Sequence, residues 1–214
     1  MIDIIGLDPL GSDIAKDNKP WERSLGEFLA LAVQKDPDQI FVEITGQRIT
    51  YRKFQEIVLQ AAGMFKSLGV GHGDRVCLFL TNCPEFLYCW FGLSLIGAIT
   101  VPINTAYKRD ETAYILNNAE AIMVVAHRTL LDVAEEAAKL APTIQHLLSV
   151  DSPVHAGDAG ARNDYAHNDI ELGDQVSDWA NFAESMSYAA PIAEIPAISP
   201  QDISMLVYTS GTTG

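Results

Sequence analysis

Between Arg75 and Val150 short, nearly unbroken apolar runs alternate with helical patterns, and this alternation constrains the fold more than any other feature. "RVCLFL", "AITVPIN", "AIMVVAH" and "HLLSV" lack the in-out alternation of a strand with one wet face. Strands built from them must be covered on both sides, as in parallel sheets. Between them "NCPEFLYCWFGLSL", "RDETAYILNNAE" and "RTLLDVAEEAAKL" read as helices. The expected class is therefore α/β, a mostly parallel sheet with helices on both faces. Its strands are expected near 75–80, 99–103, 122–126, 146–150 and 203–208.

Upstream, Leu25, Phe28, Leu29, Ala32 and Val33 recur at helical spacing, and "KDPDQ" ends that helix. "FVEITGQRITY" predicts a small hairpin at residues 41–51. From Tyr51 the positions Phe54, Ile57, Val58, Ala61, Phe65 and Leu68 mark an amphipathic helix that stops at Gly69. Asn82, three residues before Glu85 with Pro84 between, reads as the start of the next helix. That helix is apolar nearly all round through Trp90 to Leu95, so it should lie between layers. "WANFAES" reads as a short helix, "APIAEIPAISP" as a connector, and "ISMLVY" as a central parallel strand.

Residues 151–178 differ in kind, with seven acidic side chains against Arg162 alone. Too little apolar surface is present to offset the entropy of ordering, so a long solvated loop is expected, the most mobile or irregular part. His155 and His167 stand among aspartates, but no helical or hairpin spacing joins them into a metal site.

Charge narrows the function. The formal net charge of −14 excludes the basic footprint of a nucleic-acid binder and electrostatic docking on anionic lipid. It leaves a small anionic ligand open, because backbone N–H groups can hold phosphate without net positive charge. Cys77, Cys83 and Cys89, odd in number and six residues apart, suit buried free thiols in a reducing compartment. The first twenty residues lack the pattern of a signal peptide. The run "FLYCWFGLSLIGAITV", at about sixteen residues, is short for a membrane span. A cytoplasmic protein is expected.

At residues 208–214 "YTSGTTG" follows directly on the apolar "ISMLV". A buried strand running into a loop of glycines and hydroxyls is a phosphate-holding arrangement. Gly211 and Gly214 allow positive φ and close approach, and successive N–H groups form an anion-binding concavity. Thr209, Ser210, Thr212 and Thr213 add hydroxyl donors. The stretch carries neither the Gly-Lys-Ser/Thr of a Walker loop nor the GxGxxG of a dinucleotide site. By composition alone it also fits a flexible linker.

"YTSGTTG" resembles the phosphate-loop signature of the adenylate-forming superfamily, which includes acyl-CoA synthetases, luciferases and peptide-synthetase adenylation domains. "ITYRKFQEIVLQAAGMFKSLGVGHGDRVCLFLTNCPEFLYCWFGLSLIGAITVPIN" and "TAYKRDETAYILNNAEAIMVVAH" extend the likeness, which covers about residues 20–150 and 198–214. "MIDIIG" and "NCPEFLYCWFGLSLIGAITVPIN" look closest to crotonobetaine/carnitine–CoA ligases and related acyl-CoA ligases of fatty acid metabolism.

The resemblance implies a two-step ligase that uses ATP, Mg2+ and coenzyme A to activate a small carboxylic acid. It implies that Thr209, Ser210, Gly211, Thr212, Thr213 and Gly214 hold the β- and γ-phosphates. The superfamily's adenine, ribose, magnesium and catalytic-lysine positions fall after this motif, so neither a catalytic residue nor a metal ligand is expected here. Residues 1–214 are accordingly expected to be the N-terminal part of the large adenylate-forming domain, with an acidic loop at 151–178 and the phosphate loop at 208–214. The rest of the enzyme is expected to be absent. Two alternatives stand beside this: a non-catalytic N-terminal module that associates with another chain, and a fragment of an amino-acid adenylation domain. An uncovered "ISMLVY" strand would also favour a homo-oligomer. Tyr107, Lys108 and Arg109 are expected to form a solvated turn rather than face a ligand, and Tyr88 and Trp90 to pack in the core rather than line a tunnel. His72, between two glycines, is expected to serve the turn alone.

Overall fold

The computed structural model describes residues 22–44, 47–151 and 179–209. Helix α1 (Leu25–Lys35) starts in a capping box: the Ser24 hydroxyl accepts from the Glu27 N–H, and the Glu27 carboxylate accepts from the Ser24 N–H at 2.6 Å. Strands β1 (Ile40–Ile44) and β2 (Gln47–Thr50) form the antiparallel hairpin. Helix α2 (Tyr51–Ser67) is capped by the Thr50 hydroxyl, and the chain leaves it through Gly69 at φ 82°, a left-handed turn that glycine adopts without strain.

Then the βα alternation begins, with β3 (Arg75–Phe79), α3 (Pro84–Leu95), β4 (Ile99–Pro102) and α4 (Arg109–Asn118). It continues through β5 (Met123–His127), a short 3-10 turn, α5 (Leu131–Ala138) and β6 (His146–Val150). The last described elements are β7 (Ala180–Asn181) and α6 (Phe182–Tyr188). Strands β3 to β7 make one sheet in the order β4-β3-β5-β6-β7, parallel at every pairing.

Alternate residues of each strand serve different cores. Val76, Leu78, Met123, Val125 and Leu148 point to the side holding Leu29, Phe54, Val58, Phe65 and Leu93 of α1, α2 and α3. Cys77, Phe79, Val124, Ala126 and Leu147 point to the side holding Ile115, Leu116, Ala134 and Ala137 of α4 and α5. A side chain as fully buried as Phe54 contributes about 1.5–3 kcal/mol. The helices on both faces are therefore required by the strands and not merely adjacent to them.

Three expectations are corrected. Residues 203–208 do not form a strand: the segment touches β4 through the single parallel bridge Thr100–Met205. It lies outside β4 at the sheet's edge, where Ile203 is 62% and Val207 60% exposed, and its main-chain pairing is the two hydrogen bonds it makes with Thr100. The cap of α3 is Cys83, not Asn82. Pro84 occupies the first helical position, and a residue before proline is held extended, as Cys83 is at φ −140°, ψ 158°. In "WANFAES" the Ala-Asn pair joins the sheet as β7, and the helix begins only at Phe182. The irregularity expected for 151–178 concerns residues that, beyond Asp151, lie outside the described ones.

The Pro-punctuated connector after α6 lies across α2. The Ile192 N–H donates to the Leu59 carbonyl at 3.1 Å, and Gln60 Nε2 donates to the carbonyls of Met186, at the end of α6, and of Ala189, just beyond it, at 2.7 and 3.4 Å. A Cβ on Gly63 would overlap the Ala190 carbonyl oxygen. Gly63→Ala is therefore expected to destabilise the fold by about 1–3 kcal/mol, because overpacking against backbone outweighs the gain in helix propensity of about 1 kcal/mol. Denaturant unfolding of the two proteins measures the difference, and a stabilised variant would show that the connector does not lie on α2.

All three cysteines are free and buried. Burial, with the Glu85 carboxylate adding to it, pushes the Cys83 thiol up to about 12. Burial holds Cys77 and Cys89 far above the ordinary thiol range. Thiolate is the reactive form, so no cysteine should react with a thiol reagent at pH 8 in the native protein, and all three should react in denaturant. Fast native labelling of any one would contradict this packing.

Candidate functional site

The segment that leads to "YTSGTTG" is fixed at three points. At its start the Ser199 N–H donates to Asp202 Oδ2 at 3.0 Å, and the Asp202 N–H donates to the Ser199 carbonyl at 3.0 Å. His72 Nε2 lies 3.0 Å from the same carboxylate oxygen. That hydrogen bond, with the Ser199 N–H adding to it, holds the Asp202 carboxyl below its ordinary range. His72 thus does more than complete a turn: it ties that turn to a segment 130 residues away. Gly97 makes the approach possible, since a Cβ there would overlap the His72 ring.

The second point is Thr100 of β4. Its N–H donates to the Ser204 carbonyl at 3.0 Å, and its carbonyl accepts from the Leu206 N–H at 2.9 Å. The third is Tyr208, whose phenol donates to Asn118 Oδ1 at 2.6 Å. Its ring meets Tyr114 edge to face, with centroids 6.5 Å apart. Partial burial, then the neighbouring Cys77 and Tyr114, raise the Tyr208 phenol above its usual value, so it stays a donor at neutral pH.

Thr209, next in the chain, reaches a cavity of about 450 Å3 lined also by Tyr107, Tyr114 and Tyr208, with Asp110 and Glu111. Both carboxylates are engaged. Glu111 accepts from the Lys108 N–H at 2.8 Å and caps α4, while Asp110 pairs with Arg109 at 2.8 Å. Of the expected turn residues, Tyr107 therefore faces the cavity, Lys108 caps a helix and Arg109 is held by its neighbour. Tyr88 and Trp90 pack as expected, Tyr88 against Phe54 and Trp90 against Phe91. Burial, with Glu85 adding to it, pushes the Tyr88 phenol up to about 12.

Of the six residues expected to hold phosphate, the structure places Thr209; Ser210, Gly211, Thr212, Thr213 and Gly214 lie outside the described residues. What sequence reasoning missed is the anchoring of Thr209 through Tyr208, Tyr114 and Asn118. The local signal was the large aromatic at the head of an otherwise small-residue run. Among the described residues no group of three or more His, Cys, Asp or Glu side chains could hold a metal ion. No described helix is long and apolar enough to cross a membrane.

Crotonobetaine/carnitine–CoA ligases of Escherichia coli are similar to this chain. That of O17:K52:H18 (strain UMN026 / ExPEC) is 32% identical over 167 residues, which make up 78% of this chain and 29% of the relative. The chain thus spans under a third of the length of the curated relatives it matches. The anthranilate CoA ligase AuaEII in complex with anthranoyl-AMP shares the fold at a TM-score of 0.74 and 23% identity, over 92% of this chain and 34% of that one. Mycobacterium smegmatis MbtA does so at a TM-score of 0.70 and 27% identity, over 91% of this chain and 33% of that one. The N-terminal domain of FACL13 from Mycobacterium tuberculosis does so at 0.65 and 24% identity, over 88% and 42%. Residues 29–214 match the family of AMP-binding enzymes, and the chain belongs to that family.

Proposed function

We propose that this chain supplies the phosphate-holding part of an ATP-dependent carboxylate–CoA ligase. The observation that carries the reading is "YTSGTTG" itself, on a segment anchored at the edge of a parallel sheet, in a member of the AMP-binding family. The names of its curated relatives favour a CoA ligase over amino-acid adenylation or a non-catalytic module. On this reading residues 1–214 belong to the N-terminal part of a large adenylate-forming domain. Three buried free thiols support a reducing, cytoplasmic setting.

In the first step a carboxylate oxygen of the acid attacks the α-phosphorus of ATP. The bond from that phosphorus to the bridging oxygen of pyrophosphate breaks, leaving an acyl-adenylate. In the second step the thiol of coenzyme A attacks the acyl carbon, loses its proton, and AMP departs. Thr209 to Gly214 serve the first step. On this reading their N–H groups and hydroxyls donate to the β- and γ-phosphates, where negative charge collects as pyrophosphate leaves, and donors aimed at developing charge lower the barrier.

In the full enzyme that carries this chain, Thr212→Val keeps the shape and removes one donor to a charged group, an interaction worth about 1.5–3 kcal/mol. It should slow acid-dependent exchange of labelled pyrophosphate into ATP by about 10- to 100-fold. Release of AMP by coenzyme A from preformed acyl-adenylate should change much less. Crotonobetaine and carnitine head the panel of acids to be tried. Equal losses in both half-reactions would falsify the phosphate role.

The 214-residue polypeptide alone should not support that exchange, because the relatives it matches devote 71% of their length to regions without a counterpart in the match. Turnover comparable to the full enzyme would place a complete active site within these residues.

A further inference from the structure

Tyr208 stands where the last main-chain support ends and the phosphate loop begins. Among the described residues the Leu206 N–H to Thr100 carbonyl bond is the final backbone hydrogen bond of the approach segment. Val207 is 60% exposed and contributes no anchor. Tyr208, in contrast, packs at the margin of the core beneath α4, and its phenol reaches Asn118 Oδ1 at 2.6 Å. Asn118 is a firm post. It ends a helix whose Ile115 and Leu116 are buried, whose start is capped by Glu111, and which is followed at once by Ala119 and Glu120, whose carbonyls accept from Arg75.

We propose that Tyr208 is a positioning residue: its hydrogen bond to Asn118 sets where the phosphate loop starts and hence where the loop's donors point. This rests on the phosphate-loop reading of Thr209 to Gly214. The phenol does not touch the nucleotide; it acts through Thr209, the next residue. Ser210 to Gly214 include no large side chain by which the loop could be held, so the site of the last large side chain before them controls where successive N–H groups can reach. Donors must sit close to their targets to stabilise charge, and a displacement of about 1 Å is enough to weaken them.

The test uses the full enzyme, titrated calorimetrically with MgATP and separately with AMP. AMP lacks the β- and γ-phosphates, so a loop-positioning defect should weaken MgATP and spare AMP. Tyr208→Phe keeps the ring and removes the donor; Asn118→Leu removes the acceptor. Each should raise the Kd for MgATP by about 3- to 10-fold, the range of one net hydrogen bond, and leave the Kd for AMP unchanged. The double variant should be no weaker than either single one, since both remove the same bond. Asn118→Asp retains an acceptor oxygen and should restore wild-type affinity at 0.15 M salt, where charge effects fade over about 8 Å.

Thr212→Val separates the two ideas. If it weakens MgATP selectively while Tyr208→Phe and Asn118→Leu do not, the loop holds phosphate and Tyr208 does not position it. If Thr212→Val leaves both MgATP affinity and pyrophosphate exchange unaffected, the phosphate reading falls and the positioning role falls with it. Loss of MgATP and AMP affinity together, with a lowered melting temperature, would give Tyr208 a structural role only and overturn the proposal.

Discussion

The structure depends on β3 being enclosed on all four sides. Its backbone pairs with β4 on one edge and β5 on the other. Its side chains alternate between two cores, with Val76 and Leu78 to one and Cys77 and Phe79 to the other, all fully buried. A strand so placed has a pairing neighbour along each edge and no apolar face in water. The α/β layering is the arrangement that meets both demands, since crossover helices are what cover a parallel sheet.

That enclosure reaches the candidate site through one side chain. Arg75, at the start of β3, donates to the Ala119 carbonyl at 2.6 Å and the Glu120 carbonyl at 2.7 Å. A cation at the end of α4 satisfies carbonyls that the helix leaves unpaired and complements its dipole. Glu120 turns the chain at φ 47°, a left-handed conformation uncommon for a non-glycine residue, and Arg75 bonds both its carbonyl and its carboxylate. The end of α4 is thereby fixed to the core, and Asn118 with it. Core strand, arginine, helix end, asparagine and Tyr208 form one continuous mechanical line to Thr209.

Much of this was legible in the sequence. The four strands from β3 to β6 fall within about a residue of expectation, because each apolar run is bounded by turn residues or charge. Residues 203–208 carry the same pattern and make only a bridge. Cys83 displaced Asn82 as a cap because proline's restriction on its predecessor outranked the side-chain preference of asparagine. Of the candidate site, sequence offers only the local part. The small, hydroxyl-rich run announces itself, whereas His72 to Asp202 and Tyr208 to Asn118 join residues 130 and 90 positions apart. No spacing rule reaches that far.

Charge gives the arrangement its further logic. With a formal net charge of −14, this chain can lend a polyphosphate no long-range attraction, and stray carboxylates near Thr209 would repel one. The two acids of the adjoining cavity are held in check locally, Glu111 by a main-chain N–H and Asp110 by Arg109. Neutral donors then suit the proposed role better than lysines would. Backbone N–H groups carry fixed partial positive charge, have no counterion to shed, and lose no side-chain entropy on meeting phosphate. Their weakness is that they cannot reach, as a lysine on its flexible stem can. On the proposed reading a loop that binds in this way must be put in place by its surroundings, and Tyr208, an aromatic side chain with a hydroxyl at its tip, stands at the head of the run of small residues in position to do so.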